Sequence, residues 1–226
     1  MKVLLLLMML TACAASPQDL SGKMFTFPQQ TNTACVQLMT TRQQFSAITV
    51  CLRFITDLSR DHILFSLATP SADNDFLIFR HAVEDAVNVF SRNKLAAFTA
   101  QDYKLNMWHS ICSTWDSASG LVQLWLDGKP SMRKFVSSGT NIRGSTIIIL
   151  GQEQDSHGGG FDLKQSFVGM ISDVNMWDYV LSSCEIQKYV DELNFTPGNV
   201  LKWSALEYQI TDRVLLEDKQ KTMSCY

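Results

Sequence analysis

The residues with the clearest chemistry are oxygen-bearing side chains grouped in two places. Asp73 and Asn74 lie in a polar turn, residues 71–75, just before the apolar run 76–79. The second group occupies a glycine-rich loop after the apolar run 147–150 and contains Glu153, Gln154, Asp155, Asp162 and Gln165. Hard divalent cations such as Ca²⁺ need several oxygen ligands at once, and glycine lets a backbone fold around an ion. Together the groups supply what a calcium site requires, although an acidic glycine loop alone is more often a solvated turn.

The same acids are poor candidates for catalysis. Glycoside hydrolases need two carboxylates spaced across a sugar bond, and Glu153-Gln154-Asp155 superficially resembles half of such a motif. The expected third acid is absent, because Ser156, His157 and Gly158 follow. A carboxylate bound to calcium also cannot readily hold or transfer a proton. The sequence contains no Ser-His-Asp, phosphate-cradling or HExxH motif, so we predict a binding protein and not an enzyme.

Short apolar or alternating runs between turn signals must position these groups. Seven runs are typical of strands, at residues 48–54, 63–67, 76–79, 87–90, 121–126, 147–150 and 167–174. Asp127-Gly128-Lys129-Pro130 is a turn after one of them. Many short strands of this kind predict an all-β sandwich or jelly roll.

One segment has helical spacing instead. Ser182 and Glu185 have the spacing of a capping box at a helix start. The apolar residues that follow at helical intervals are Ile186, Tyr189, Val190 and Leu193. We therefore predict one short amphipathic helix whose apolar side packs on a sheet.

The first residues indicate secretion. Lys2 is followed by the apolar run 3–10 and by small residues at 12–14, a pattern typical of a signal peptide over residues 1–15. That run is shorter than a membrane-spanning helix, and no later segment comes closer, so no membrane insertion is expected. The net charge is −3, and the 19 Lys and Arg are scattered, which argues against nucleic acid as a partner. Residues 16–226 are expected to form one domain.

Three stretches resemble the short pentraxin family, of the C-reactive protein and serum amyloid P type. Residues 109–117 are similar to the family signature, although two residues separate His109 from Cys112 where the usual motif has one. Residues 149–159 are similar to the calcium loop, and residues 174–178 to the strand before the family's helix. The resemblance implies a two-sheet antiparallel jelly-roll sandwich with one short α-helix, assembled as a homopentamer. It also implies a secreted, lectin-like protein of innate immunity, with acute-phase behaviour left open.

The resemblance further implies two Ca²⁺ per protomer. The first would be held by Asp73, Asn74, Glu153, Asp155 and the backbone carbonyl of Gln154, and the second by Glu153, Asp155, Asp162 and Gln165. Four carboxylates would then face four positive charges. Asp162 stands where the family usually has a glutamate, and this shorter side chain is expected to weaken the outer ion.

Ligands implied by the resemblance are surfaces bearing phosphocholine or phosphoethanolamine. A phosphate would complete the calcium shell, and Phe79 matches the phenylalanine that receives the choline methyl groups. Lys94 or Leu95 stands where the acid that faces choline is expected, so choline preference is in doubt. Asp127 matches a family contact for complement components on the opposite face. The alternative function is a calcium-dependent glycan-binding or laminin-G-like adhesion module.

Five cysteines remain after the predicted signal peptide. The resemblance implies a disulfide between Cys51 and Cys112. Cys184, at the predicted helix start, and Cys225, near the end of the sequence, are the preferred second pair, which leaves Cys35 free or intermolecular. Asn194-Phe195-Thr196 is an N-glycosylation acceptor, although the following Pro197 usually lowers its use.

Overall fold

The computed structural model describes residues 16–219, which form two packed antiparallel sheets and one helix. The predicted signal peptide, residues 1–15, and Cys225 lie outside the described residues. No helix within the described range is long and apolar enough to cross a membrane.

The first sheet has eight strands and carries the helix on its outer face. In spatial order its strands are β11 (Lys129–Pro130), β10 (Leu121–Leu126), β9 (His109–Asp116), β4 (Ala47–Ile55), β15 (Gly169–Trp177), β1 (Lys23–Phe27) and β17 (Leu215–Asp218), with β12 (Lys134–Phe135) also beside β10. The helix is α1 (Ser183–Val190).

The second sheet has seven strands. Their spatial order is β16 (Tyr208–Thr211), β2 (Cys35–Leu38), β14 (Ile147–Leu150), β5 (His62–Thr69), β6 (Ala72–His81), β7 (Ala86–Ser91) and β8 (Lys94–Thr99). A separate short pair joins β3 (Gln44–Phe45) to β13 (Ile142–Arg143). The predicted jelly-roll sandwich with one short helix is confirmed.

Alternating side chains on β4 show how the layers form. Ile48, Val50, Leu52 and Phe54 are buried in the core between the sheets. Cys51 points to the other side, into a smaller apolar cluster with Trp125, Trp177, Ile186 and Tyr189. Because α1 covers this part of the outer face, both sides of β4 are buried.

The implied disulfide between Cys51 and Cys112 is present beneath α1. The two residues are register partners on the adjacent strands β4 and β9. The bond joins positions 61 residues apart, and closing a loop of that length is worth about 4 kcal/mol in the chain-entropy model. The disulfide therefore fixes the central strand pair on which the helix packs.

Local boundaries differ from the sequence predictions in three places. The turn expected at residues 71–75 is shorter, because β6 already begins at Ala72 and buried Asp75 accepts a hydrogen bond from Thr69 within the sheet. The last predicted strand lies later in the chain, at Gly169–Trp177. The helix ends at Val190, so Leu193 lies beyond it and is exposed. The predicted cap at the helix start is confirmed, because the Glu185 amide donates to Ser182 Oγ at 3.2 Å.

His62 is a buried polar group at one end of the core. Its Nδ1 donates to the Arg60 carbonyl oxygen at 2.8 Å, which leaves Nε2 to accept the Tyr103 hydroxyl, also at 2.8 Å. Burial lowers the pKa of His62 from 6.5 to about 4, because the charged imidazolium would lose its hydration. His62 is therefore neutral in the folded protein near neutral pH.

We expect His62 to make the folded state sensitive to mild acid. The unfolded chain binds a proton at this residue near pH 6.5 and the folded chain only near pH 4, so the contribution of His62 to the free energy of unfolding should fall as pH drops through this window, by roughly 3 kcal/mol in total. Urea unfolding in chelator from pH 7.5 to 4 should show a shallower decline for His62→Gln. His81→Gln, at a more exposed position, is the control, and equal slopes for wild type and His62→Gln would contradict the expectation.

Candidate metal centre

Two buried glutamine side chains position the loop that follows β14. Gln152 Nε2 donates to the carbonyl oxygens of Thr31 and Ala34 at 2.8 and 2.9 Å. Gln154 Nε2 donates to Ser66 Oγ at 3.0 Å, and its Oε1 accepts the Gly158 amide at 3.0 Å. The loop is therefore held over the outer face of the seven-stranded sheet, where Ser66 lies. The family resemblance implied only a backbone role for Gln154, and no pattern in the sequence marked Gln152.

The glycines of this loop form a tight reversal. Ser156 and Gly159 exchange two backbone hydrogen bonds, of 3.2 and 3.0 Å. Gly160 has a φ of 75°, and a Cβ there would lie 2.8 Å from the Asp155 Cβ. A larger residue at position 160 would therefore displace Asp155. His157 Nε2 bonds the Ser145 carbonyl at 2.8 Å, so its ring is directed away from the acids.

Asp73 and Asn74 lie near the start of strand β6 and are held by the hairpin that joins β7 to β8. The Asn74 amide donates to Asn93 Oδ1 at 2.9 Å, and the Asn93 amide donates to the Asn74 carbonyl at 3.0 Å. Asn93 has a φ of 60°, which asparagine tolerates better than most residues. The Arg92-Asn93 pair between two apolar runs is the sequence signal that could have identified this clamp.

The structure brings the predicted acids together around Glu153. This side chain is only 4% exposed. Its pKa is raised to about 7, first by burial and then by the charges of Asp155, Asp73 and Asp162. The acids of β6, of the loop and of the following turn therefore lie close enough to repel one another, as expected for a site that a cation would neutralise.

Several acceptor oxygens in this cluster are buried and have no hydrogen-bond partner among residues 16–219. They are Asn74 Oδ1, Glu153 Oε2 and Gln165 Oε1, all from the predicted ligand set, and Gln152 Oε1 in the same loop. A buried acceptor without a donor costs roughly 1–3 kcal/mol. The donor set consists of hard oxygens, and a Ca²⁺ ion would satisfy them, so the residues fit this cation.

The acids do not yet converge on a single point. No three His, Cys, Asp or Glu side chains within residues 16–219 stand close enough to hold a metal ion as they lie. Asp162 is turned partly away, because its Oδ1 accepts the Lys164 amide at 2.9 Å and caps a 3-10 turn at Leu163–Gln165. Asp162 Oδ2 accepts no hydrogen bond from the described residues, so this carboxylate can cap the turn and still offer an oxygen to an outer ion. The back of the turn is held by Arg60, which donates to the carbonyls of Lys164 and Ser166 at 2.9 and 2.8 Å.

The remaining predicted site residues are placed as follows. Phe79 lies on β6, pairs with Asn88 of β7 and is nearly buried. Asp127 lies in the turn after β10, where its carboxylate accepts from His109 Nδ1 at 2.7 Å and from the Ser110 amide at 2.8 Å. Asn194 is exposed after α1. Cys35 is buried and has no disulfide partner within residues 16–219, and Cys184 is exposed on α1 with its predicted partner, Cys225, outside that range.

Fold and site together define a jelly-roll sandwich with one helix and an acidic, oxygen-rich loop on the opposite face. A heptameric pentraxin of the serum amyloid P-like type from Limulus polyphemus has this fold, with a TM-score of 0.76 and 24% identity over 88% of this chain and 96% of that chain.

The family follows from the sequence comparisons. The model of the Pentaxin family matches residues 23–218, so the chain belongs to the pentraxin family. It is 42% identical to the C-reactive protein of Sus scrofa over 206 residues, 90% of each sequence. It is 38% identical to the serum amyloid P-component of Cavia porcellus over 202 residues, 89% of each, and 40% identical to the mucosal pentraxin of Mus musculus over the same length.

Calcium should stabilise the protein and protect the loop. At a calcium concentration a hundredfold above Kd, the folded state would gain roughly 2.7 kcal/mol, seen as a higher melting temperature than in chelator. Limited proteolysis with mass spectrometry should find cleavage within residues 152–162 only when calcium is removed. Glu153→Gln should lose most of the calcium effect, whereas Glu84→Gln, in the distant turn between β6 and β7, should keep it. Equal melting and cleavage of the wild type with calcium and with chelator would contradict the site.

Proposed function

We propose that this pentraxin is a secreted, calcium-dependent pattern-recognition protein that binds phosphorylated ligands, such as phosphocholine or phosphoethanolamine, through two Ca²⁺ per protomer. The observation that carries the proposal is the set of buried oxygens at Asn74, Glu153 and Gln165, which accept no hydrogen bond from the part of the chain that the structure describes and lie beside mutually repelling acids. The proposal includes removal of residues 1–15 as a signal peptide and a pentraxin domain over residues 16–226.

The two ions would differ in exposure. Asn74 and Glu153 contribute buried oxygens to the inner ion, whereas Asp155 and Asp162 are exposed. An outer ion with few protein ligands keeps open positions, which a phosphate oxygen fills as an anionic ligand. The ligand would therefore bind on the exposed side of the loop.

The strand register favours Leu95 over Lys94 as the neighbour of a bound ligand. Leu77 pairs with Phe90, which pairs with Leu95, so these side chains share the outer face of the sheet with Phe79. Lys94 pairs with buried Ser91 and belongs to the opposite face. Leu95 is 48% exposed, so an apolar side chain stands where a choline-binding site needs an acid.

Retention on phosphocholine and phosphoethanolamine resins tests the function. We expect the wild type to bind in calcium and to elute with chelator, and Glu153→Gln to be retained weakly or not at all. Because a carboxylate near a quaternary ammonium is attractive, Leu95→Glu should increase retention on phosphocholine, and Lys94→Glu, on the other face, should change it little. If calcium binds but neither resin retains the protein, the alternative of a calcium-dependent glycan-binding or laminin-G-like adhesion module replaces the proposal.

Assembly into a homopentamer is also part of the proposal. Met132 and Phe135, at the β11–β12 edge of the eight-stranded sheet, are 81% and 64% exposed. Leu215 and Leu216 are exposed on β17 at the opposite edge. Two different apolar patches on opposite edges favour a head-to-tail contact that can close into a ring. A ring would present five weak sites together, which raises affinity for a surface by roughly a hundredfold or more.

Charges at the β11–β12 edge should prevent assembly. The double variant Met132→Glu with Phe135→Glu would bury two carboxylates in the contact and should elute as a single protomer in size-exclusion chromatography with light scattering. Val83→Glu, at an exposed turn position, is the control and should assemble as the wild type does. A ring that survives the double variant would place the contact elsewhere.

Three assignments stay predictions. The engaged carboxylate of Asp127 gives no support to complement binding at that residue, which rests on the resemblance. N-glycosylation at Asn194 and a bond between Cys184 and Cys225 likewise await peptide mass spectrometry.

A further inference from the structure

A cavity of about 630 Å³ opens on the outer face of the eight-stranded sheet, beside the start of α1. It lies on the opposite side of the sandwich from the acidic loop, which is held over the seven-stranded sheet. Its volume is within the range of roughly 300–1,000 Å³ that is typical of small-molecule sites.

The floor of the cavity is formed by β9 and β10. Thr114 and Gln123 are register partners on these strands, and Trp125 is two residues further along β10. Trp125 pairs with Cys112, whose disulfide lies on the outer face beneath α1, so these side chains all face outward. The floor therefore combines a hydroxyl, an amide and an indole.

Gln123 holds the Arg133 side chain at the rim of the cavity by a hydrogen bond. Gln123 Nε2 donates to the Ser131 carbonyl at 2.8 Å, and Gln123 Oε1 accepts Arg133 Nε at 3.1 Å. This bond occupies one nitrogen of the guanidinium. Among the described residues no carboxylate forms an ion pair with Arg133, so its terminal nitrogens remain available as donors.

The two acids that line the cavity are already engaged. Asp116 accepts the Ser119 amide and hydroxyl at 2.9 and 2.7 Å. Asp178 pairs with Arg42 at 2.9 Å and accepts from Asn199 Nδ2 at 2.6 Å. Each carboxylate keeps spare lone pairs that can accept a further hydrogen bond. The charges of the two acids are balanced by those of Arg42 and Arg133, so the surroundings of the cavity are close to neutral. An anionic ligand would meet both acids, so the cavity is suited to a neutral polar ligand.

One donor on the floor lacks an acceptor. Trp125 is 4% exposed, and its indole N–H has no hydrogen-bond partner within the described residues. This nitrogen is sealed beneath the cavity surface by the apolar cluster under α1, so Trp125 offers the cavity its ring and not its N–H. At the rim, the ring of Tyr179 is partly exposed and offers an aromatic surface.

We propose that this cavity is a second, calcium-independent binding site that takes a neutral sugar residue. Sugar hydroxyls both donate and accept, so a sugar can accept from the Arg133 guanidinium and donate to the spare lone pairs of Asp116 and Asp178. The apolar face of a pyranose packs on an aromatic ring such as Tyr179. Because the acidic loop lies on the other face, both sites can be occupied at once.

Saturation-transfer NMR on the assembled protein in chelator tests this site. The probes are the methyl glycosides of glucose, galactose, mannose and N-acetylglucosamine. At least one should receive saturation from the protein, with the same affinity in calcium. Arg133→Ala and Tyr179→Ala change exposed side chains and should weaken binding roughly tenfold each. Arg143→Ala, on the separate β3–β13 pair, is the matched control and should bind as the wild type does.

Three results would overturn the proposal. One is no transfer to any of the four glycosides, and another is equal affinity in the wild type and both cavity variants. The third is binding of methyl glucuronide when the neutral sugars do not bind, since that would assign the cavity to anions. Circular dichroism melting of each variant separates loss of binding from loss of fold. Loss of binding on removal of calcium would assign the sugar to the acidic loop instead.

Discussion

The repulsion among acids gathered around buried Glu153 is the constraint on which the recognition face depends. A carboxylate held away from water beside three others is unfavourable unless protons or cations compensate it. The surrounding contacts hold the acids in place nevertheless: Gln152 and Gln154 tie the loop to the strands below, and Asn93 fixes Asn74 from the neighbouring hairpin. The fold therefore gathers acids that a cation would stabilise, although no three of them within residues 16–219 converge on one point as they lie.

The sandwich separates this cluster from the helix-bearing face. The core between the sheets is largely apolar, with buried polar groups such as His62 at one end. The disulfide from Cys51 to Cys112 and the packing of α1 stiffen one face, while the loop after β14 shapes the other. Two independent surfaces on one small domain allow a protein to hold a target on one side and a second molecule on the other, and ring assembly would align all copies of each surface.

Strand register explains why this chain departs from a choline-type site. Lys94 and Leu95 are the two residues at the position where the family resemblance implies an acid. Their side chains lie on opposite faces of the sheet. The alternation of side chains assigns Leu95 to the face that carries Phe79. Leu95 therefore adds an apolar side chain, and not an acid, to this face.

Much of this protein could be predicted from its sequence, because the deciding interactions are local. Alternation in residues 48–54 gave the central strand, the Ser182 cap gave the helix start, and acid and glycine spacing marked the loop after Leu150.

What required the tertiary structure were relations between distant segments. The strand position of Asp73 and Asn74 depends on pairing with β5, and the exposed position of Leu193 depends on where α1 ends against the sheet. Three features arise only when segments far apart in the sequence, some more than a hundred residues apart, pack together. They are the hydrogen bonds of Gln152 and Gln154 that support the loop, the buried oxygens that have no partner among the described residues, and the cavity over Trp125. Sequence pattern specifies which face of an element is apolar, whereas packing decides which polar atoms are left facing one another.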